Sequence, residues 1–103
     1  MAFLVIAHDG TDEGALARRM AARPTHFERV TPEAERGVLL MGGALTDAEG
    51  RMTGSMLVLD LPDEAAVRRW LAEDPYSQGD VWREVQVTPF RPAALPYQPP
   101  RAG

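Results

Sequence analysis

The three clearest β-strand segments of the sequence are apolar at both alternating positions, and this pattern restricts how the chain can fold. The segments are FLVIA (3–7), VLLMGGAL (38–45) and TGSMLVLDL (53–61). An antiparallel sheet with one hydrated face alternates cleanly between apolar and polar residues along each strand. Because these segments do not alternate, we expect both faces of the sheet to be covered.

Two helical patterns lie between the first and second strands. Residues 11–22 predict one helix, and residues 26–36 predict a second that ends at Gly37, since glycine is common just past a helix. Pro24 separates them, because proline disfavours helical geometry in the residue before it and is suited to open a new helix. Pro32 predicts a kink or a restart within the second helix.

A further helix and a further strand complete the order β-α-β-β-α-β. The helix opens at Pro62-Asp63, and one of its faces carries the apolar residues Ala66, Val67, Trp70 and Leu71. The strand, VWREVQVTPF (81–90), is predicted with Val81, Val85 and Val87 on one side and Trp82, Glu84 and Gln86 on the other. This order predicts an α+β, ferredoxin-like fold, with an antiparallel sheet and the helices on one of its faces.

The second face of this sheet needs a cover that the helices cannot supply. A second copy of the chain is the economical choice, because most soluble oligomers are symmetric homodimers. A bound apolar ligand and the C-terminal segment are the alternatives. Residues 92–103, which hold four of the nine prolines, are predicted to form a proline-rich tail outside the 1–91 domain, either extended over the surface or disordered.

Composition excludes several classes of function. At 103 residues the chain has room for one domain, and its net charge of −4 argues against a nucleic-acid-binding protein. It contains no Lys and no Cys, which excludes Schiff-base chemistry, thiol nucleophiles and disulfides. The N-terminal apolar run is too short for a signal sequence or a membrane span, so we expect a cytoplasmic protein with no membrane partner.

His26 and Asp74 are the residues best suited to chemistry, although each also has a structural interpretation. His26 lies in RPTHFERV, in the first turn of the predicted second helix, where the helix dipole favours a neutral imidazole that can accept a proton. A single histidine in a helix is, however, more often a surface or capping residue. Asp74 precedes Pro75 in DPYSQG, a sequence typical of one capped helical turn.

The motifs RPTHFERV, GVLLMGGAL, TGSMLVLDL and EDPYSQGDVWREVQVTPF, in this order, resemble the YciI-like (YCII-related) proteins over about residues 1–91. The resemblance implies a fold of the dimeric α/β barrel type, in which two chains pair across their sheets. It also implies a His–Asp pair at His26 and Asp74. The residues that would line its small-molecule pocket are Arg23, Ser55 and Tyr76. The family includes a dehydrochlorinase that acts on a chlorinated hydroxyquinol, and muconolactone isomerases and small monooxygenases share the fold.

Two positions depart from the pattern of this family. Gly42-Gly43 stands where members often have Gly-Pro, and Pro32 interrupts a helix that is usually smoother. His8, the other histidine of the chain, matches no family position and has no predicted role.

Three functions fit these residues. In the first, the chain is a small acid–base enzyme that catalyses an elimination or an isomerisation on a small polar or aromatic substrate. His26 carries the proton and Asp74 orients it, while Arg23 or Arg29 holds an anionic group of the substrate. In the second, the chain is a non-catalytic ligand-binding or regulatory dimer. In the third, both residues are caps in a structural dimer. Neither a nucleophile motif nor a metal-ligand spacing is present, so we expect no covalent intermediate, no metal and no cofactor.

Overall fold

Four strands form one antiparallel sheet, and the helices pack against a single face of it. The computed structural model describes residues 1–100. Its elements, in chain order, are β1 (Ala2–Asp9), α1 (Ala15–Glu35), β2 (Leu39–Thr46), β3 (Met52–Asp60), α2 (Glu64–Ala72), α3 (Pro75–Gln78) and β4 (Trp82–Phe90). The strand order is β2-β3-β1-β4, and every neighbouring pair is antiparallel. The predicted ferredoxin-like α+β fold is therefore confirmed.

The hydrophobic core lies between the sheet and the helices. In β1, the side chains of Phe3, Val5 and Ala7 are buried against the helices. Leu4 and Ile6, which alternate with them, face the other way and are only half-buried. The helices contribute the core residues Val30, Val67, Trp70, Leu71 and Tyr76. Burying an aliphatic side chain contributes about 1.5–3 kcal/mol, so this layer holds the helices, and the side chains they present, on the sheet.

Helix α1 is continuous from Ala15 to Glu35, so the predicted interruption at Pro24 and the predicted restart at Pro32 are both wrong. Its buried residues are Ala15, Arg19, His26 and Val30. They are spaced by four, seven and four residues, which are one, two and one helical turns, and so form one stripe that keeps its phase through Pro24. An internal proline costs about 3 kcal/mol locally, and we attribute the continuity of the helix to the packing of this stripe on the sheet.

The C-terminus of α1 is where the sequence predicts it. Gly37 has a φ of 81°, in the left-handed region that favours glycine. The N–H of Gly37 donates to the carbonyl of Ala34 at 3.1 Å, and the N–H of Val38 donates to the carbonyl of Glu33 at 2.9 Å. These two bonds form a Schellman motif, which satisfies the last carbonyl groups of the helix and turns the chain towards β2.

A β-bulge in β4 changes the side of the sheet on which Trp82 lies. His8 of β1 pairs with Glu84, but the next residue, Asp9, pairs with Trp82, which leaves Arg83 as an extra residue in β4. A bulge of this kind re-aims the side chains beyond it. Trp82 therefore faces the helices and is buried, and the prediction that it shares a side with Glu84 and Gln86 is wrong.

The face of the sheet away from the helices is apolar and partly open. Leu4, Ile6 and Met56 are half-buried on this face. Residues 92–100 contain no helix or strand, and every one of them is exposed. The last predicted tail residues, 101–103, lie outside the described residues. No helix within residues 1–100 is both long and apolar enough to cross a membrane.

Candidate active site

His26 and Asp74, which are 48 positions apart in sequence, meet in a buried hydrogen bond. The imidazole Nδ1 of His26 lies 2.8 Å from Oδ1 of Asp74, whose side chain is fully buried. Asp74 is also the N-cap of α3, because its Oδ1 accepts the N–H of Tyr76 at 2.8 Å and Pro75 occupies the first helical position. The carboxylate of Asp74 therefore both caps α3 and bonds His26, so the structural and the functional interpretation of Asp74 hold together.

Arg29 holds the second oxygen of this carboxylate. Its Nη1 donates to Oδ2 of Asp74 at 2.9 Å, and its Nη2 donates to the carbonyl of Trp70 at 2.7 Å. The guanidinium also lies over the indole ring of Trp70, 4.2 Å from the centroid. Because both ends of the guanidinium are engaged within the protein, the prediction that Arg29 could hold an anionic group of a substrate is wrong. Arg29 instead neutralises and fixes Asp74.

The contacts of Asp74 determine which nitrogen of His26 carries the proton. A carboxylate accepts hydrogen bonds, so Nδ1 of His26 donates to Asp74 and the lone pair of the neutral ring lies on Nε2. Among residues 1–100, no group hydrogen-bonds to Nε2. The phenol ring of Tyr76 stacks on the imidazole with centroids 4.0 Å apart and an interplanar angle of 16°. His26 therefore presents a free basic nitrogen in a fixed orientation.

The helix-dipole argument for a neutral His26 is wrong. His26 lies in the interior of α1, eleven residues after its first residue, Ala15, and the dipole acts only within the first and last turns. The proton-accepting geometry of His26 comes from Asp74 and the stacked Tyr76, not from a helix end.

Tyr76 contributes a second polar group beside the imidazole. Its side chain is buried, and among residues 1–100 no group forms a hydrogen bond with its hydroxyl. Burial raises the pKa of Tyr76 above its ordinary value, because an apolar environment disfavours the phenolate. Tyr76 therefore remains a neutral O–H that can donate a hydrogen bond.

A second buried cluster lies beside Tyr76. Nη1 of Arg19 donates to both carboxylate oxygens of Asp9, at 3.0 and 3.1 Å. Nη2 of Arg19 donates to Oγ of Ser55 at 3.0 Å, and the indole Nε1 of Trp82 donates to the same oxygen at 3.0 Å. The guanidinium of Arg19 lies 4.6 Å from the ring centroid of Tyr76. Burial raises the pKa of Asp9, although the charge of Arg19 acts in the opposite direction.

Sequence reasoning missed Arg19, Asp9 and Trp82. Arg19 stands seven residues, or two helical turns, before His26, so the two side chains share a face of α1. The predicted break at Pro24 concealed this relation. The inward direction of Trp82 results from the bulge at Arg83, and the alternation of residues along the strand does not reveal a bulge.

A cavity of about 530 Å³ opens onto this group of residues. Its polar lining comes from Arg19, Arg23, His26, Thr31, Glu35, Ser55 and Tyr76, and its apolar lining includes Phe27, Val30, Leu39, Met41 and Leu57. Of the site residues predicted from the sequence, His26, Arg23, Ser55 and Tyr76 line the cavity, whereas Arg29 and Asp74, which lies behind His26, do not. A site of this size, mostly apolar with a few convergent polar groups, is typical of small-molecule binding.

Of the two arginines that line this cavity, Arg23 has the fewer protein contacts. Its guanidinium lies over the ring of Phe27, 4.7 Å from the centroid. Among residues 1–100, no carboxylate lies within 4.0 Å of it. A guanidinium in this position can pair with an anionic group of a ligand.

A second, larger cavity of about 770 Å³ lies at the C-terminal end of β1, and Asp9 is part of its lining. It is lined by His8 and by charged residues such as Asp12, Arg51 and Glu84. Asp12 pairs with Arg18, and Asp47 pairs with Arg51, both at the surface. The side chain of His8 is exposed. Within residues 1–100, no group of three or more His, Asp or Glu side chains is arranged to hold a metal ion.

Comparison with known proteins places the chain in a family. The sequence profile of the YCII-related domain matches residues 1–91. Protein YciI of Escherichia coli O6:H1 is 28% identical over 97 residues, which cover 88% of this chain and 97% of the relative.

Solved structures give the same fold. The 5-chloro-2-hydroxyhydroquinone dehydrochlorinase TftG of Burkholderia phenoliruptrix, in complex with 2,5-dihydroxybenzoquinone, has a TM-score of 0.77 at 22% identity, covering 88% of this chain and 94% of TftG. A dimeric ferredoxin-like protein of unknown function from Jannaschia sp. CCS1 has a TM-score of 0.50 at 16% identity, covering 84% of this chain and 94% of its own. The structures establish the fold, and the profile match over 1–91 establishes that this chain belongs to the YCII-related family.

Proposed function

We propose that the chain is a small acid–base enzyme in which His26 accepts a proton from the substrate. The observation that carries this proposal is the 2.8 Å bond from Nδ1 of His26 to the buried Asp74, which leaves Nε2 as the free basic nitrogen of a residue that lines the cavity. Asp74 orients the ring and stabilises the imidazolium once the proton has been taken. Tyr76 and Arg23 bind polar groups of the substrate.

The substrate that fits best is a small aromatic or polar molecule, and the reaction is an elimination or an isomerisation. The apolar lining of the cavity accommodates a ring, and the guanidinium of Arg23, which pairs with no carboxylate of residues 1–100, suits an ionised substituent. In an elimination, Nε2 of His26 takes a proton, the released electron pair forms a new double bond, and the leaving group departs with the electrons of its own bond. Loss of HCl from a chlorinated ring, the reaction that TftG is named for, follows this scheme and supports the proposal.

The alternative function is a non-catalytic dimer that binds a small molecule in the same cavity. The guanidinium of Arg23 and the apolar lining favour binding whether or not chemistry follows. His26 distinguishes the two functions, because an enzyme needs its basic nitrogen for turnover, whereas a binding protein needs it only for affinity.

Chloride release from 5-chloro-2-hydroxyhydroquinone tests the proposal. We expect the wild-type protein to release chloride and His26→Ala to lower kcat by about 10²–10⁴, the usual contribution of a positioned base. His8→Ala is the matched control, since it removes the other histidine of the chain from an exposed position, and we expect it to retain full activity. Equal rates for wild-type protein and His26→Ala would refute the proposed role of His26.

Ligand binding separates the two functions where no chloride is released. Binding to the native state raises the melting temperature, and 2,5-dihydroxybenzoquinone serves as the probe. A shift in the melting temperature without turnover of the chlorinated compound would favour the binding dimer. No shift and no turnover would leave the aromatic ligand class without support.

We also propose that two copies of the chain pair across the open face of the sheet. The half-buried Leu4, Ile6 and Met56 supply an apolar surface there, and pairing would remove it from water. The cytoplasmic location predicted from the sequence remains a prediction, which fractionation of cells that produce the protein would test.

A further inference from the structure

Ser55 has both of its hydrogen-bond acceptor positions occupied by the protein. It lies in β3, it is 4% exposed, and its Oγ accepts from Nη2 of Arg19 and from Nε1 of Trp82, each at 3.0 Å. A guanidinium and an indole can only donate, so the direction of these two bonds does not depend on how hydrogen atoms are placed.

The hydroxyl hydrogen of Ser55 is consequently left without a partner in the protein. A serine oxygen has two lone pairs and one O–H, and here both lone pairs are engaged. Among residues 1–100, no carbonyl or carboxylate accepts the O–H of Ser55. Since Ser55 lines the 530 Å³ cavity, the remaining tetrahedral direction leads into that cavity.

We infer that Ser55 is a donor-only group that selects ligands with an unprotonated oxygen, such as a carbonyl, phenolate or carboxylate oxygen, at this point of the cavity. This inference rests on the proposed function only in taking the cavity as the ligand site, and it adds the chemical group that the ligand presents there. Ser55 is thereby a specificity-determining residue. A ligand with a C–H or an ammonium group at this point leaves the buried O–H unpaired, which weakens its binding.

The two donors that fix Ser55 are themselves held in place. Arg19 is anchored by both of its Nη1 bonds to Asp9, and it is 3% exposed. Trp82 is turned inward by the bulge at Arg83. The Nε of Arg19 is buried without a hydrogen-bond partner among the described residues. Retaining such an unpaired group is unfavourable for stability and is found where polar groups serve function.

The direction of the hydroxyl can be observed without any ligand. In a neutron structure of the deuterated wild-type protein, we expect the deuteron on Oγ of Ser55 to point into the cavity, and the indole and guanidinium deuterons to point at Oγ. A deuteron directed at a protein carbonyl or carboxylate would overturn the inference. This measurement is independent of whether the chain is an enzyme.

Selectivity is measured with acetophenone and ethylbenzene, which have the same skeleton and differ in that acetophenone carries a carbonyl group where ethylbenzene has a methylene. By ligand-observed NMR we expect the wild-type protein to bind acetophenone about tenfold more tightly, corresponding to about 1.4 kcal/mol, and Ser55→Ala to reduce this preference to about twofold or less. Trp82→Phe, which frees one lone pair of Ser55 and allows its hydroxyl to turn, is the second variant, and we expect it also to weaken the preference.

Two results would overturn the inferred selectivity. One is an unchanged preference in both variants, and the other is a wild-type protein that does not bind acetophenone more tightly than ethylbenzene. Failure of the chloride-release assay while the neutron and selectivity results hold would reject the proposed reaction and leave the role of Ser55 intact. Chloride release without carbonyl selectivity would reject the role of Ser55 and leave the proposed reaction intact.

Discussion

Asp74 serves the fold and the candidate site with the same carboxylate. One oxygen caps α3 and bonds His26, and the other bonds Arg29. A fully buried carboxylate is stable only with such partners, because an unpaired buried charge is strongly unfavourable. The residues around Asp74 therefore stabilise the protein and orient its base together, so any change to them affects both properties.

Loss of Arg29 tests this coupling. We expect Arg29→Met to lower the free energy of unfolding by about 3 kcal/mol, since it leaves the charge of Asp74 without its cationic partner in a buried position. The measurement is urea unfolding followed by circular dichroism.

Arg68→Met is the matched control for Arg29→Met. Arg68 pairs with Glu64 on the surface of α2 at 3.5 Å, with both side chains about half exposed, and such pairs contribute less than about 1 kcal/mol. Equal losses of stability in the two variants would contradict a special role for the Arg29–Asp74 pair.

At the level of elements, close contact between β1 and β3 requires the glycine next to Ser55. A Cβ at Gly54 would clash with the backbone carbonyl of Ala7 in the neighbouring strand. We expect Gly54→Ala to lower the melting temperature by about 5 °C or more, equivalent to at least about 1 kcal/mol for a domain of this size, as measured by calorimetry. The two strands can relieve the clash only by moving apart.

Gly43→Ala provides the control for Gly54→Ala. Gly43 lies in β2, and a Cβ there would meet nothing within 4 Å, so we expect the melting temperature to change by less than about 2 °C. A Gly54→Ala variant as stable as Gly43→Ala would contradict the claim that the contact between β1 and β3 requires a glycine at position 54.

The order of the elements could be predicted from the sequence, because strand runs, caps and turn residues are local signals. The end of α1 at Gly37 and the capped turn of α3 after Asp74 are examples. The continuity of α1 through Pro24 could not be predicted, because local propensity opposes it and the packing of a long stripe overrides that propensity. The inward position of Trp82 depends on one unpaired residue in β4, which leaves no clear mark on the sequence.

The sequence also indicated which residues lie together at the cavity, but not how they bond. His26, Asp74, Arg23, Ser55 and Tyr76 were carried over from the family resemblance, and they gather at one place. The roles of Arg29 and Arg19 required the three-dimensional structure, since Arg29 bonds Asp74, 45 positions away, and Arg19 bonds Ser55, 36 positions away. Distances between remote residues are a property of the fold and not of any local pattern.

For the whole molecule, the open face of the sheet predicts a dimer. Size-exclusion chromatography with light scattering should give the wild-type protein twice the 11.3 kDa mass of one chain. Ile6→Glu places a charge in the centre of the apolar surface, and we expect this variant to elute as a monomer, because burying an unpaired charge in the interface is unfavourable.

Ala65→Glu is the control for Ile6→Glu, since it adds the same charge on an exposed position of α2, and we expect it to remain dimeric. A wild-type protein that is monomeric at micromolar concentrations would contradict the proposed pairing.

The unbroken α1 has a consequence for how relatives of this chain can differ in length. One continuous helix carries Arg19, Arg23 and His26, so the distances between them are set by helical geometry and not by loop conformation. One residue inserted between Arg19 and His26 would rotate everything beyond it by about 100° around the axis, carrying the imidazole away from its acid. Natural insertions and deletions should therefore accumulate in the connections that flank α1, while this segment keeps a constant length.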